Sequence, residues 1–397
     1  MKKIFLSFFS FVFVMTSCIE KTEQFDVDTS LEYCHQQIEK TLSLLGRHNR
    51  EFPHAIMNGE KEWVMRDGAQ KNWTMGFWPG ILWYDYENTK DANILVSAEY
   101  YTQLLDTIFT QEINNHDIGF QVFCSYGNGF RLTGKQEYKD KILKAAEMLS
   151  TLYNPVVGTI KSWTWDKRYP HNTIIDNLMN LELLFWAAKN GGDKKFYDIA
   201  VHHATTSMIN HFRPDGSSYH MIGYDTVTGK KIEGITVQGY ANESMWARGQ
   251  SWGVYGYTMI YRETGDKKFL QHAVKVADMF VDNLPADYIP YWDFRLPEFT
   301  DEPRDASAAC VVASALLDLC GYVEKEELKE KYYKAAINIL SSLSSPAYRS
   351  GDLNPSFVLH STGFRKRNLE VDSSLIYADY YYIEALLKLK NMKSRKL

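Results

Sequence analysis

The sequence predicts an all-α fold, an (α/α)6 barrel in which helix hairpins close into one ring. Two observations carry this. The first is an internal repeat: Thr133-Gly134-Lys135-Gln136-Glu137-Tyr138, Gly191-Gly192-Asp193-Lys194-Lys195-Phe196 and Thr264-Gly265-Asp266-Lys267-Lys268-Phe269 are equivalent turns. Each is followed by an apolar stripe at helical spacing, such as Ile142, Ala145, Ala146 and Leu149. A glycine ends one helix in the left-handed cap conformation, and a charged turn starts an amphipathic helix with one solvated face. The second observation is the kind of helix that precedes each glycine. Segments 176–190 and 246–263 are apolar nearly all round, so they must be buried on most sides. Alternation of the two kinds favours a closed ring, because closure covers the end faces that an open solenoid must cap.

Extended along the chain, the pattern predicts inner helices near 74–87, 117–132, 176–190, 246–263, 305–321 and 373–389. Outer helices are expected near 28–47, 92–109, 136–152, 194–211, 266–283 and 325–343. Residues 28–397 thus form one barrel domain. Ahead of it, Met1-Lys2-Lys3, the apolar run from Ile4 to Met15 and Thr16-Ser17-Cys18 have the layout of an export signal, and the run is too short to span a bilayer. A Cys after small residues resembles a bacterial lipoprotein signal, so 1–18 is read as signal with Cys18 lipidated, and 19–27 as a polar tether. The protein is expected to be exported, as a periplasmic or outer-membrane lipoprotein, and to meet a membrane only through that lipid.

Composition narrows the partners. The net charge of −5 gives no basic field for a polyphosphate backbone, so nucleic acid is excluded as a partner. Cys34, Cys124, Cys310 and Cys320 form no CxxC pair and have no His at ligand spacing, so buried free thiols are expected and neither a metal nor a cofactor is called for. Ten Trp, 26 Tyr and 21 Phe suit a large core, and beside polar groups they also suit the apolar faces of sugar rings.

Strand-like pieces at 217–224 and 230–238 fall in long loops between outer and inner helices, all opening at one end of the ring. Four inner helices begin there with an acid: Asp117, Asp176, Asp305 and Asp372. Each is a reasonable N-cap. Asp305 and Asp372, followed by small residues, fit capping best, with Arg304 to offset charge. Asp117 beside His116, and Asp176 after the aromatic loop Trp163-Thr164-Trp165, are placed where partial desolvation would favour the protonated form needed by a general acid and base. The stretch 236–252 gathers Gln238, Arg248 and Trp252. Arg248 is read either as a fork for a substrate carboxylate or as the partner of a mouth aspartate, Trp252 as a stacking face, and His220 as a weaker candidate.

WTMGFWPG (73–80), HDIGF (116–120), IIDNLMNLELLFWA (174–187), QGYANESMWARGQSWGVYGY (238–257), PYWDF (290–294), RDASAA (304–309) and DYYYIEALL (379–387) together resemble the unsaturated glucuronyl hydrolases of glycoside hydrolase family 88. The resemblance covers nearly all of 28–397. It implies the same barrel and removal of a Δ4,5-unsaturated uronic acid from lyase-cut polysaccharides by hydration of the vinyl ether. It implies Asp176 as general acid and base and Asp117 as its partner. It implies substrate contacts from Trp73, His116, Trp163, His220, Gln238, Arg248 and Trp252. Family members carry a His before the Gln-Gly of this loop where this chain has Val237, a departure that bears on which sulfated sugars are accepted. Two other readings fit parts of the chain: an unsaturated rhamnogalacturonyl hydrolase acting on pectin fragments, and a sugar-binding lipoprotein without catalysis.

Overall fold

The computed structural model describes residues 25–46, 49–67 and 72–394, and the export segment with Cys18 lies outside the described residues. Its helices in chain order are α1 (Val27–Leu45), α2 (Phe77–Thr89), α3 (Ala92–Leu104), α4 (Ile118–Val122), α5 (Asn128–Thr133), α6 (Gln136–Ser150), α7 (Asn177–Lys189), α8 (Lys195–Asn210), α9 (Ala247–Thr264), α10 (Lys267–Val281), α11 (Ala306–Tyr322), α12 (Glu326–Leu343) and α13 (Ile376–Ser394). The inner set packs in sequence, α2 on α5, α4 on α7, α7 on α9, α9 on α11 and α11 on α13, and α13 returns to α2. The ring is therefore closed. Outside it, α1 covers α13, α3 covers α2, α6 covers α4 and α7, α8 covers α7, α10 covers α9, and α12 covers α11.

Side-chain pattern explains which helix goes where. α11 is buried without a break from Ala306 to Leu317, which leaves it no solvated face. α6 buries only Tyr138, Ile142, Ala145, Ala146 and Leu149, a single stripe. Glycine lets neighbouring inner helices approach. A Cβ on Gly119 of α4 would lie 2.4 Å from Asn180 Oδ1 of α7, and one on Gly256 of α9 would lie 2.7 Å from Leu178 Cβ. The repeat glycines Gly134, Gly191 and Gly265 all have positive φ (67°, 100° and 68°), as the cap reading requires. Cys34, Cys124, Cys310 and Cys320 are buried, and none of them is in a disulfide, as expected.

Inner-to-outer turns are short (90–91, 134–135, 190–194, 265–266, 323–325), whereas outer-to-inner connections are long (151–176, 211–246, 282–305, 344–375). The long ones gather at one end and build small sheets. β1 (Glu51–Ile56) lies between β2 (Val64–Asp67) and β8 (Ser374–Leu375). β3 (Tyr153–Asn154) pairs with β4 (Thr159–Ile160). β5 (His171–Ile174), β6 (Met221–Tyr224) and β7 (Lys231–Ile235) form an antiparallel sheet, with His171 opposite Tyr224. The β6 and β7 pieces correspond to the strand-like runs of the sequence, while β1, β2 and β5 were not anticipated.

Four expectations change. The second inner helix is not continuous, because a π-helical turn at Phe123–Gly127 separates α4 from α5, and apolar spacing does not distinguish that turn from α-helix. The first outer helix begins at Val27, not 28: Asp26 caps α1, its carboxylate accepting from Thr29 N at 3.1 Å. The last inner helix starts at Ile376, not 373, because Ser374 and Leu375 pair with β1. Asp372 is consequently no cap. It sits at φ 52°, accepting from Asn58 Nδ2 at 2.9 Å and meeting His360 Nδ1 at 2.6 Å.

Gly119→Ala tests the close approach of α4 to α7. It is expected to destabilise the fold by about 1–3 kcal/mol, read as a lowered midpoint in denaturant unfolding, because neither Asn180 nor its backbone has room to retreat.

Candidate active site

Asp117 and Asp176 occupy the N-cap positions of α4 and α7, yet neither side chain caps its helix. The reason is backbone geometry. A capping side chain turns back onto the N–H groups from an extended residue, and here both residues are already right-handed helical (φ −70°, ψ −3° and φ −55°, ψ −26°). Asp305 shows the contrast. At φ −127° its carboxylate accepts from Ser307 N at 3.1 Å and Ala308 N at 3.4 Å. The expected cap is present at Asp305, but its ionic partner is Arg248 at 3.3 Å, since Arg304 turns away to Asp287.

The two free acids are held relative to each other by one side chain. Asn180 Oδ1 accepts from Phe120 N at 2.8 Å, and its Nδ2 donates to Asp176 O at 3.3 Å, bracing α4 to α7. Asn115 Oδ1 accepts from Asp117 N at 3.0 Å. Asn172 on β5 exchanges two 2.9 Å bonds with the Trp163 backbone, so the sheet positions the aromatic loop.

Behind the acids stand two buried histidines. His116 Nε2 is 3.3 Å from Asp117 Oδ1, and His220 Nε2 is 3.6 Å from Asp176 Oδ2. Burial pushes the Asp117 carboxyl up to about 7. Burial likewise raises Asp176 to about 6, with Asp117 adding to the rise and His116 and Arg248 opposing it. Burial holds His116 down at about 4 and His220 well below its ordinary range, so both rings are neutral near pH 7. Two carboxyl groups that titrate near neutrality, with side chains only 14% and 13% exposed, are suited to carrying a proton to a reactant and taking one back.

A cavity of about 780 Å³ opens beside Asp117, lined also by Trp73, Trp163, Val237 and Gln238 and by Trp165, Arg168 and Arg367. Of the sequence-derived candidates, Trp73, Asp117, Trp163 and Gln238 thus meet at one cavity. Asp176 is not part of that lining, although it lies near enough to Asp117 for the two charges to interact. His116, His220, Trp252 and Arg248 do not line it either. His116 and His220 are fully buried, each with a ring nitrogen near one of the two carboxylates. Trp252 is also fully buried, packed between Phe120 and Tyr381 with ring centroids at 5.6 Å in both cases, which makes it part of the floor beneath the site and not a stacking face. Arg248 departs from the fork reading. Its Nη1 donates to Thr362 O and Asp305 Oδ2, and its Nη2 to Gln238 Oε1 (2.9 Å) and Gly363 O (2.7 Å). The guanidinium therefore anchors the 360–372 loop and lends positive charge from below.

Sequence reasoning missed Arg168 and Arg367 at the outer cavity. The signal was present in the run Arg365-Lys366-Arg367, which was not singled out. Arg367 lies over the Phe364 ring at 5.1 Å and forms no ion pair among the described residues, whereas its neighbour Arg365 lies 3.6 Å from Glu302.

The glycosyl hydrolase family 88 model matches residues 45–382. An unsaturated glucuronyl hydrolase from Formosa agariphila is 44% identical over 94% of this chain and 92% of its own length. A crystal structure of an unsaturated glucuronyl hydrolase specific for heparin superposes with TM-score 0.88 at 42% identity, covering 93% of this chain and 98% of that one. An Asp-to-Asn variant of the Streptococcus agalactiae enzyme complexed with dGlcA-GalNAc6S gives TM-score 0.77 at 29% identity, over 94% and 96% of the two chains.

Raised carboxyls carry a stability cost with a definite sign. An acid lifted from about 3.9 unfolded to about 7 folded contributes stability that is whole below pH 4 and is lost as pH rises through 7. Asp117→Asn removes that loss. It is expected to raise thermal stability by on the order of 1–3 kcal/mol at pH 8, with the gain vanishing near pH 4 in paired calorimetric scans.

Proposed function

The chain belongs to glycoside hydrolase family 88, and from that premise we propose that it removes Δ4,5-unsaturated uronic acid from the non-reducing ends of lyase-generated glycosaminoglycan oligosaccharides. The observation that carries this reading is the pair Asp117 and Asp176, two helix-start acids withheld from capping and desolvated, the first of which lines an aromatic cavity. Asp176 Oδ2 is buried toward His220, so Oδ1 is the oxygen left for a reactant.

The chemistry needs one acid that alternates. Protonated Asp176 gives its proton to C4, the C4=C5 electrons form the new C–H bond, and positive charge develops at C5 and the ring oxygen. Water adds to C5 and its proton goes to the Asp176 carboxylate, which restores the acid. The C5 hemiketal opens by cleavage of the bond to the ring oxygen, leaving a C5 ketone and a hemiacetal at C1. That hemiacetal expels the rest of the oligosaccharide as an alcohol, so one water is consumed overall. Because the glycosidic bond is not attacked directly, the carboxylate-separation rule for retaining and inverting glycosidases does not apply. Trp73 and Trp163 offer faces to the sugar, and Gln238, fixed by Arg248, offers its amide nitrogen.

The outer cavity favours an anionic second sugar. Arg367 is a cation without an ion-pair partner among the described residues, suited to a sulfate or carboxylate on the next ring, whereas pectin-derived rhamnose would present none. The heparin specificity of the 42%-identical relative supports the same direction. For location, the run Ile4 to Met15 followed by Thr16-Ser17-Cys18 supports export with a lipid on Cys18.

Three outcomes are expected. Asp176→Asn lowers the rate at which the conjugated double bond's ultraviolet absorbance is lost by about 10²–10⁴-fold while circular dichroism is unchanged; a near-normal rate would show that another group is the acid. Lyase digests of heparin and chondroitin sulfates are cleared and a rhamnogalacturonan digest is not, and binding of any digest without absorbance loss would mark a sugar-binding protein instead. Cys18→Ala moves the protein from the membrane pellet to the soluble exported fraction.

A further inference from the structure

Within the 360–372 loop a tight hairpin carries Phe364 and Arg367 to the cavity. Gly363 N donates to Glu370 O at 2.8 Å, and Phe364 and Leu369 exchange backbone bonds at 2.9 and 3.1 Å, so Gly363 and Glu370 form its base. Arg248 holds that base from the Gly363 side, at 2.7 Å from the carbonyl. His54 of β1 holds it from the Glu370 side, its Nε2 meeting Glu370 Oε1 at 2.6 Å. The same ring reaches a second part of the lining: His54 Nδ1 meets Thr74 Oγ1 at 2.9 Å, and the Thr74 hydroxyl donates to Asn72 Oδ1 at 2.7 Å, at the turn that brings Asn72 and Trp73 to the cavity. Hydrogen placement along this chain is fixed. Asn72 Oδ1 also accepts from Thr74 N at 3.0 Å, so it is the amide oxygen. The hydroxyl gives its one hydrogen to that oxygen and can only accept from His54, whose Nδ1 therefore carries a hydrogen. Burial acts to raise the Glu370 carboxyl, but the His54 bond and charge, with Arg248 and Arg66, outweigh it and hold the group below its ordinary range. An ionised Glu370 can only accept, so Nε2 of His54 carries a hydrogen as well. The contact is an ion pair between side chains only 4% and 20% exposed.

Resting on the hydrolase reading above, we propose that His54 and Glu370 are positioning residues for the second sugar: their ion pair fixes the 363–370 hairpin, and with it Arg367, relative to the Trp73 face. The two parts of the lining do not depend on this pair equally. Trp73 is also held by the rings of Phe77, Phe120 and Tyr377, with centroids at 5.6, 5.4 and 4.9 Å. No residue from Phe364 to Glu370 is fully buried, so the hairpin has no comparable packing. Asn368 and Glu370 moreover sit at φ 52° and 53°, a backbone conformation that relaxes when the contacts imposing it are removed. Loss of the pair therefore displaces Arg367 and leaves Trp73 in place. Asp117 and Asp176 are braced independently, by Asn115 and Asn180. The pair thus acts on how tightly an anionic second sugar is held and not on proton transfer, which places its effect in KM and not in kcat.

The test measures kcat and KM on lyase-generated chondroitin disaccharides with and without a sulfate on the second sugar, for His54→Phe, Glu370→Gln and the double variant. His54→Phe keeps an aromatic ring and removes both donors; Glu370→Gln keeps the shape and removes the charge. Each single substitution is expected to raise KM for the sulfated substrate by about tenfold, the equivalent of one charge-assisted hydrogen bond, with kcat within about twofold of wild type. KM for the unsulfated substrate stays within about threefold. The double variant binds no more weakly than the weaker single variant, because both report one contact. Effects that multiply in the double variant, a fall in kcat with KM unchanged, an equal rise in KM for both substrates, or no change in either single variant overturn the assignment. Thermal midpoints check folding. If His54→Phe does not fold, Glu370→Gln decides from its partly exposed position, and a KM for the sulfated substrate within about twofold of wild type then overturns the proposal. Failure of the hydrolase reading would show separately, as wild-type protein that leaves the double bond's absorbance intact.

Discussion

The site depends on withholding two acids from the job that helix starts usually give them. An Asp at an N-cap is ordinarily consumed by backbone N–H groups, which keep it ionised and low in pKa. Here the backbone of Asp117 and Asp176 is already helical at the cap, so neither carboxylate can turn back, and both face neutral, buried histidines instead. Asp305, one inner helix beyond α9, has extended backbone, caps α11 and pairs with Arg248. Ring closure puts all of these starts at one end, and backbone dihedrals then decide which acids become structural and which remain free.

Arg248 connects the two groups. Tied to Asp305, Gln238 and two carbonyls of the 360–372 loop, it brings its charge close enough to oppose the rise of Asp176 without neutralising it directly. The same loop carries Phe364 and Arg367 into the outer cavity and holds His360, Asn368, Glu370 and Asp372 at positive φ. Backbone of this kind is costly in non-glycine residues and persists only where surrounding contacts impose it, as the Arg248 bonds and the Glu370–His54 contact at 2.6 Å do here.

Much of this was legible in the sequence because its signals are local. The left-handed glycines, the alternation of all-apolar and striped helices, and the acids at helix starts are all one-dimensional patterns, and the barrel with Asp117 and Asp176 at its mouth follows from them, whereas Trp73 entered through the family resemblance alone. What could not be read was orientation. Trp252 and Trp163 are equally aromatic in the sequence, yet one is floor and the other wall, because helix rotation decides which face a ring presents. Asp372 looked like Asp305 until pairing of Ser374 with β1 delayed the helix. The ring orientations of His116 and His220 depend on a carbonyl 46 residues away and a backbone N–H 18 residues away, contacts that spacing does not encode.

The central claim is that this pair of carboxyl groups keeps protons near neutral pH. Infrared difference spectroscopy between wild type and the single Asp117→Asn and Asp176→Asn variants, titrated from acid to neutral pH, measures this directly. The account predicts protonated-carboxyl bands that persist above pH 5 and vanish one by one with the two substitutions, the Asp117 band being lost last as pH rises. Difference spectra showing both groups fully ionised by pH 5 would contradict it.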